Sequence, residues 1–151
     1  MTNIRTLVRR SLASGTAASI TSALVASREA SHSGASGIAP LNAVAHCIWP
    51  VEAMKEQRLS ARLTGTGALI HWGASIFWGT LFETLLRERR IPPARIIRIA
   101  AVTAATAYIV DYHVVPKRIT PGFEAHMPRR SFLPVYVALG AGLALARLID
   151  N

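Results

Sequence analysis

Residues Thr64–Leu86, TGTGALIHWGASIFWGTLFETLL, decide how the rest of the chain is read. A helix of this length is about 34 Å long at about 1.5 Å per residue, enough to cross about 30 Å of hydrocarbon. The stretch holds one Glu, one His and no Pro, with Arg62 before it and Arg87, Glu88, Arg89 and Arg90 after it. Charge confined to the two ends of an apolar run marks a membrane-spanning helix. Gly67, His71, Ser75, Gly79 and Glu83 recur at four-residue steps, a ridge of small and polar residues flanked by Trp72, Phe77, Trp78 and Phe82. Such a ridge belongs against a neighbouring helix. Glu83 is expected to pair with Arg87 one turn on and to reach the interface.

Composition agrees with a membrane setting. The 151 residues make one domain, 51% apolar, with a mean hydropathy of +0.32 that lies above soluble domains and below pure membrane bundles. A soluble four-helix protein therefore stays open as an alternative. The net charge of +9 would suggest nucleic acid if the basic residues formed a block or a helix face. They sit instead at the ends of hydrophobic runs, which suits an anionic lipid surface. The single Cys47 rules out an internal disulfide and multi-Cys metal motifs.

Working toward the N-terminus, the segment 52–62 is charged and expected in water. Before it, PLNAVAHCIWPV over 40–51 is apolar but too short to span. It reads as an interfacial or re-entrant helix started by Pro40, with Leu41, Val44 and Ile48 on one face and Asn42, His46 and Trp49 on the other. Trp49 is expected at headgroup depth. Residues 29–39 are loop by composition. Residues 11–27 are uncharged, follow Arg5, Arg9 and Arg10, and end at Arg28. This start resembles a signal peptide, with Arg9-Arg10 similar to a twin-arginine signal, or an organellar transit peptide. The preferred reading is a first spanning helix, with Gly15, Ser19 and Ala23 forming a small-residue ridge.

Toward the C-terminus, RERRIPPAR over 87–95 is a short basic turn that should make its flanking helices antiparallel neighbours. A third, Ala-rich span is expected over 96–115 and a fourth over 131–149, where Ala138, Gly142 and Ala146 repeat the four-residue spacing and Pro134 sits in the first turn. Between them, 116–130 is polar with three prolines, and Pro121-Gly122 marks a tight turn. The expected fold is all-α: a four-span transmembrane bundle with one additional interfacial helix.

Four crossings bring the loops after the first and third spans to one side. His32, His46, His126, Lys117, Arg118 and Glu124 then share a face with His71, Asp111 and His113, which lie a short way inside it. Asn42 and Ser75 complete the candidate polar set. Three readings compete. In the structural one, Asp111 pairs with Lys117 or Arg118, His71 bonds a helix neighbour, and Asn42 and His46 tie down the interfacial helix. In the second, the set is a pocket that binds or conducts a proton, an ion or a small polar solute. In the third, His71 holds a haem or metal with His46, His113 or Asp111, although no metal-motif spacing is present and Asp111 and His113 do not share a helix face. Neither Ser75 nor Cys47 lies in a catalytic motif, and no catalytic residue is expected.

PLNAVAHCIW, HWGASIFWGTLFE and DYHVVPKRITPGFE together resemble a group of small four-helix bacterial inner-membrane proteins, over about residues 10–149. The resemblance implies a membrane bundle and brings no activity with it. The leading expectation is a structural or interaction role in the lipid bilayer, self-associating or joined to a membrane-protein partner through its small-residue ridges, with no nucleic acid and no resident cofactor. Basic residues divide nine to eight between the two sides, and the dense 87–95 turn tips the N-terminus toward the cytoplasm.

Overall fold

The computed structural model describes residues 3–86 and 90–150. It is all-α, 80% helical, with no strand among the described residues. Four long helices, α1 (Ile4–His32), α4 (Ala61–Leu85), α5 (Pro93–Ile109) and α6 (Phe132–Ile149), carry two short ones, α2 (Ala39–Val44) and α3 (Glu52–Lys55). Among the described residues two stretches, Pro93–Val114 and Arg129–Ile149, are long and apolar enough to cross a membrane. Helices α1 and α4 match them in length but not in apolarity. Ser and Thr occupy much of α1, and Thr64, Thr66 and His71 interrupt α4.

The boundaries differ from expectation where local chemistry differs. Helix α1 runs through residues 29–32, which composition assigned to loop, and stops at a Schellman turn. There Gly34, at φ 84°, lets Ala35 N–H reach Ala30 O (2.9 Å) and Gly34 N–H reach Ser31 O (3.1 Å). The expected helix over 40–51 is shorter. It ends as α2 and continues only as a 3₁₀ turn, Ala45–Cys47, ahead of Pro50. Burial does not follow the expected apolar face, since Val44 is buried together with the polar residues opposite it. Asn42 and His46 are buried and Ile48 is exposed, which departs from a helix laid apolar side down. Ser60 caps α4, accepting from Leu63 N–H (3.2 Å), while Thr64 Oγ1 accepts from Ser60 N–H (3.0 Å). Helix α5 closes in a π turn, Val110–Val114, with Val115 N–H bonded to Val110 O (3.0 Å). Gly122 adopts the left-handed conformation (φ 76°) that the Pro-Gly turn predicts.

Packing order was not legible from the turns. Helices α4 and α5 do touch, as the turn between them leads one to expect, but the larger contacts are α4 on α1, α1 on α6, and α6 on α5. Small residues set this order. A Cβ on Gly79 would lie 2.9 Å from Gly15 Cα, and one on Gly15 would lie 2.6 Å from Ile76 Cα, so α1 and α4 touch backbone to backbone. On the other side of α1, a Cβ on Gly142 would lie 2.6 Å from Ala18 Cα. Ala138 O in α6 accepts from Thr21 Oγ1 of α1 (2.7 Å). Gly140 faces Ala100 and Ala104 of α5. Gly15, Gly79 and Gly142 therefore face helices of their own chain, as does the buried Ser19. Ala23 and Ala146 are half-buried.

Two apolar clusters fill the bundle. Phe82, Leu86, Ile91, Ile96, Leu139 and Leu143 pack at the end where α4 stops. Val44, Trp78, Phe123, Phe132 and Tyr136 pack at the end covered by α2 and the 116–130 segment. In the second cluster Tyr112 stacks on Phe132 (4.5 Å, 17°) and Tyr108 meets Tyr136 edge-on (5.4 Å, 75°). Each such aromatic pair adds about 0.5–1.5 kcal/mol beyond area burial.

Candidate functional site

Helix α2, its 3₁₀ turn and the 116–130 segment form a cap over one end of the bundle. Asn42 ties it together from within. Its amide donates to Glu56 O and Arg58 O (both 2.9 Å), and its Oδ1 accepts from Thr64 Oγ1 (2.5 Å). His46 spans the two halves of the cap, with Nδ1 2.9 Å from Ala43 O and Nε2 3.0 Å from Lys117 O. Gly122 approaches so closely that a Cβ there would lie 2.9 Å from Ala43 O. His126 is buried beside Gln57, Nδ1 to Nε2 3.2 Å, and burial holds its imidazole below the ordinary histidine range.

Under the cap lies a cavity of about 180 Å³. His71 and Ser75 of α4, Asp111 of the π turn, Ser22 of α1, Tyr136 of α6 and Thr120 of the cap supply its polar lining. Trp78, Phe123, Val44 and Leu139 supply much of the apolar lining. The cavity thus draws on both halves of the chain.

His71 reaches α1. Its Nε2 lies 3.1 Å from Ser22 Oγ and 3.2 Å from Ser19 O. Ser22 Oγ donates its own hydrogen to Ala18 O (2.6 Å), so both atoms facing Nε2 are acceptors. That assigns the hydrogen to Nε2 and leaves Nδ1 of the neutral ring as a lone-pair acceptor. Asp111 Oδ2 accepts from Tyr136 Oη–H (2.6 Å). The expected pairing of Asp111 with Lys117 or Arg118 is not made. The π turn aims Asp111 at α6, while Lys117 and Arg118 lie beyond Pro116 with exposed side chains. Arg118 instead donates to Cys47 O (3.3 Å).

Of the eleven residues singled out from sequence, His71, Ser75 and Asp111 line the cavity, Asn42 and His46 lock its cap, and His32 is exposed at the end of α1. His113 is exposed and edge-on to Tyr108 (5.5 Å). Glu124 is exposed, 3.4 Å from Thr120 Oγ1. Neither belongs to the lining, nor do the side chains of Lys117 and Arg118. Both ring nitrogens of His46 face main-chain carbonyls, which removes it as a partner ligand for His71. Among the described residues, no group of three or more His, Cys, Asp or Glu side chains is placed to hold a metal.

Sequence reasoning missed Ser22 and Tyr136, which carried no motif, and a buried ion pair at the other end of the bundle. Glu83 does not extend to an interface. Its Oε2 lies 3.5 Å from Arg147 Nε, and its Oε1 accepts from Ser14 Oγ (2.5 Å), with both charged side chains buried. Residue 87, its expected partner, is outside the described residues. Arg147 also donates to Asp150 O (3.1 Å). Against some desolvation, hydrogen bonds from Arg10 (2.6 Å) and Arg9 (2.9 Å) hold the Asp150 carboxyl below its ordinary value. The four-residue repeat that contains Glu83 was the available signal, since it pointed the residue into the bundle.

Comparison with family models, with curated proteins and with solved structures finds no match for the chain.

Proposed function

We propose that the chain is an integral membrane protein whose four long helices span the bilayer, with α2 at one rim, and that the cavity under the cap binds a proton, an ion or a small polar solute. The observation that carries the binding reading is an acidic side chain and an imidazole lining one cavity, with no cation paired to the acid among the described residues, in contrast to the buried Glu83, which meets Arg147. Intramembrane ionisable groups of this kind mark ligand or ion pathways.

The membrane setting is supported by the outer surface. Leu12, Ile20 and Leu24 on α1 are exposed, as are Leu69 and Phe77 on α4. So are Val102 and Ile109 on α5, and Leu133, Val137 and Leu145 on α6. No charged residue interrupts 11–27, 63–82, 99–110 or 131–146. Several of the hydroxyls that lower the hydropathy of α1 and α4 are satisfied inside their own helices. Ser22 donates to Ala18 O, Ser75 to His71 O and Thr80 to Ile76 O, at 2.6–2.8 Å. Such back-bonded hydroxyls make no demand on water. The surroundings proposed are a bacterial inner membrane, with the N-terminus cytoplasmic. The chain is expected to stay with the membrane pellet through an alkaline carbonate wash; release into the supernatant overturns the membrane reading.

The Asp111→Asn variant separates binding from scaffolding. Asparagine still accepts from Tyr136 but removes a part-buried charge that has no counter-ion. We expect thermal unfolding in detergent at or above the wild-type midpoint, as for groups kept for function rather than stability. A loss of about 1–3 kcal/mol, the cost of breaking a hydrogen bond to a charged group, would mark Asp111 as structural.

A second reading, association with another membrane helix, is favoured by the outer face of α4. Gly65 and Gly73 have no neighbour within 4 Å there and stand in line with the exposed Leu69 and Phe77.

A further inference from the structure

From the hydrogen-bond polarity of the cavity under the cap, we infer that its ligand is a small organic ammonium ion. The inference rests on reading that cavity as a binding site and adds the chemical class. Every hydroxyl in the lining has its hydrogen committed within the protein. Ser22 donates to Ala18 O, Ser75 to His71 O, Thr120 to Lys117 O and Tyr136 to Asp111 Oδ2. Cys47 Sγ faces Val44 O (3.7 Å). The hydrogen of His71 is fixed on Nε2 by Ser22 and Ser19, so Nδ1 is an acceptor without a donor among the described residues. Among the described residues Asp111 Oδ1 has no donor either, and no Lys or Arg pairs with that carboxylate. The indole N–H of Trp78 is the one lining side-chain donor without a partner among the described residues.

The site therefore offers a carboxyl group with no paired cation and several acceptors, against one free donor, the Trp78 indole N–H, among the described residues. A ligand that supplies several N–H donors and a positive charge satisfies both demands, whereas an anion meets one neutral N–H among a majority of acceptors. The aromatic side chains of Trp78, Phe123 and Tyr136 in the same wall suit the carbon side of a cation. A metal ion fits less well, because the described residues offer no set of three ligands. Size bounds the rest. A cavity of about 150 Å³ takes a molecule the size of benzene, so about 180 Å³ admits an ammonium with a short carbon chain.

Three probes of equal length, n-butylammonium, 1-butanol and butyrate, test the inference by titration calorimetry on the purified full-length protein in detergent. Butylammonium is expected to bind about 10- to 100-fold more tightly than butanol, the range for a hydrogen bond to a charged group, and butyrate not at all. Asp111→Asn is expected to erase the preference for the cation. Equal binding of butanol, or tighter binding of butyrate, overturns the ammonium assignment and leaves the binding pocket standing. Binding of none of the three overturns both. The comparison among probes uses the wild-type chain, so it holds even if the variant does not fold.

Discussion

Gly67→Ala is expected to unseat α2 and empty the site beneath it. The added Cβ would overlap the carbonyl oxygen of Leu41 and fall 2.9 Å from the Leu41 carbonyl carbon. Both are backbone atoms, so no side chain can rotate away and α2 itself must move. Its displacement strains the Asn42 bonds to Glu56, Arg58 and Thr64 and the His46 bond to Lys117. It also shifts Val44 and Cys47, which line the cavity. Overpacking of this kind costs about 1–3 kcal/mol or more, and butylammonium binding should be lost with it. Gly65→Ala and Gly73→Ala are the matched controls. Both lie on the same helix with nothing within 4 Å, so alanine should be neutral or stabilise by about 0.5–1 kcal/mol through helix propensity. Thermal unfolding and hydrogen exchange over residues 39–47 distinguish the three. A Gly67→Ala protein that melts and exchanges like the parent would mean that α2 does not sit where it is described.

The second large effect belongs to Glu83. Glu83→Gln keeps the size of the side chain and an acceptor for Ser14, but it removes the negative charge beside Arg147. Truncating one member of a buried ion pair costs about 3–5 kcal/mol, because the remaining charge stays desolvated. Replacing both, as Glu83→Leu with Arg147→Met, should cost less than Glu83→Gln alone, since two apolar side chains remove both desolvation penalties. Denaturant titration of the three proteins in the same detergent measures the difference. If Glu83→Gln unfolds with the parent, the pair does not fasten α4 to α6. Ligand binding offers an independent check. The pair lies at the opposite end of the bundle from the cavity, so variants that remain folded should keep their affinity for butylammonium.

How far the sequence could be read depended on the range of the interaction. Helix positions and the Pro121-Gly122 turn rest on periodicity, on proline and glycine punctuation and on capping by residues such as Ser60, all of which act within a few positions along the chain. The extension of α1 to His32 was missed because Ser- and Gly-rich composition suggested loop, whereas the stop comes only at Gly34. The face of α2 was misjudged for a different reason. A short helix that carries Asn42 and His46 buries them when carbonyls from 56, 58 and 117 are there to receive their hydrogens, and those carbonyls come from distant parts of the chain. Asp111 was assigned to the nearest cations in sequence, but a π turn directs it to Tyr136.

By itself, the sequence determined that the chain forms long helices whose charges lie near their ends and whose small residues line up at four-residue steps. It also marked His71, Ser75 and Asp111 as polar residues inside apolar runs. Only the tertiary structure decided which helices those small residues join, that Glu83 meets Arg147, and that the hydroxyls around His71 and Asp111 have no hydrogen left to give. Helix formation is governed by neighbours three and four residues apart, so one strand of text encodes it. Donor and acceptor balance in a cavity is a sum over side chains from four helices and a cap, and that sum exists only once they are packed together.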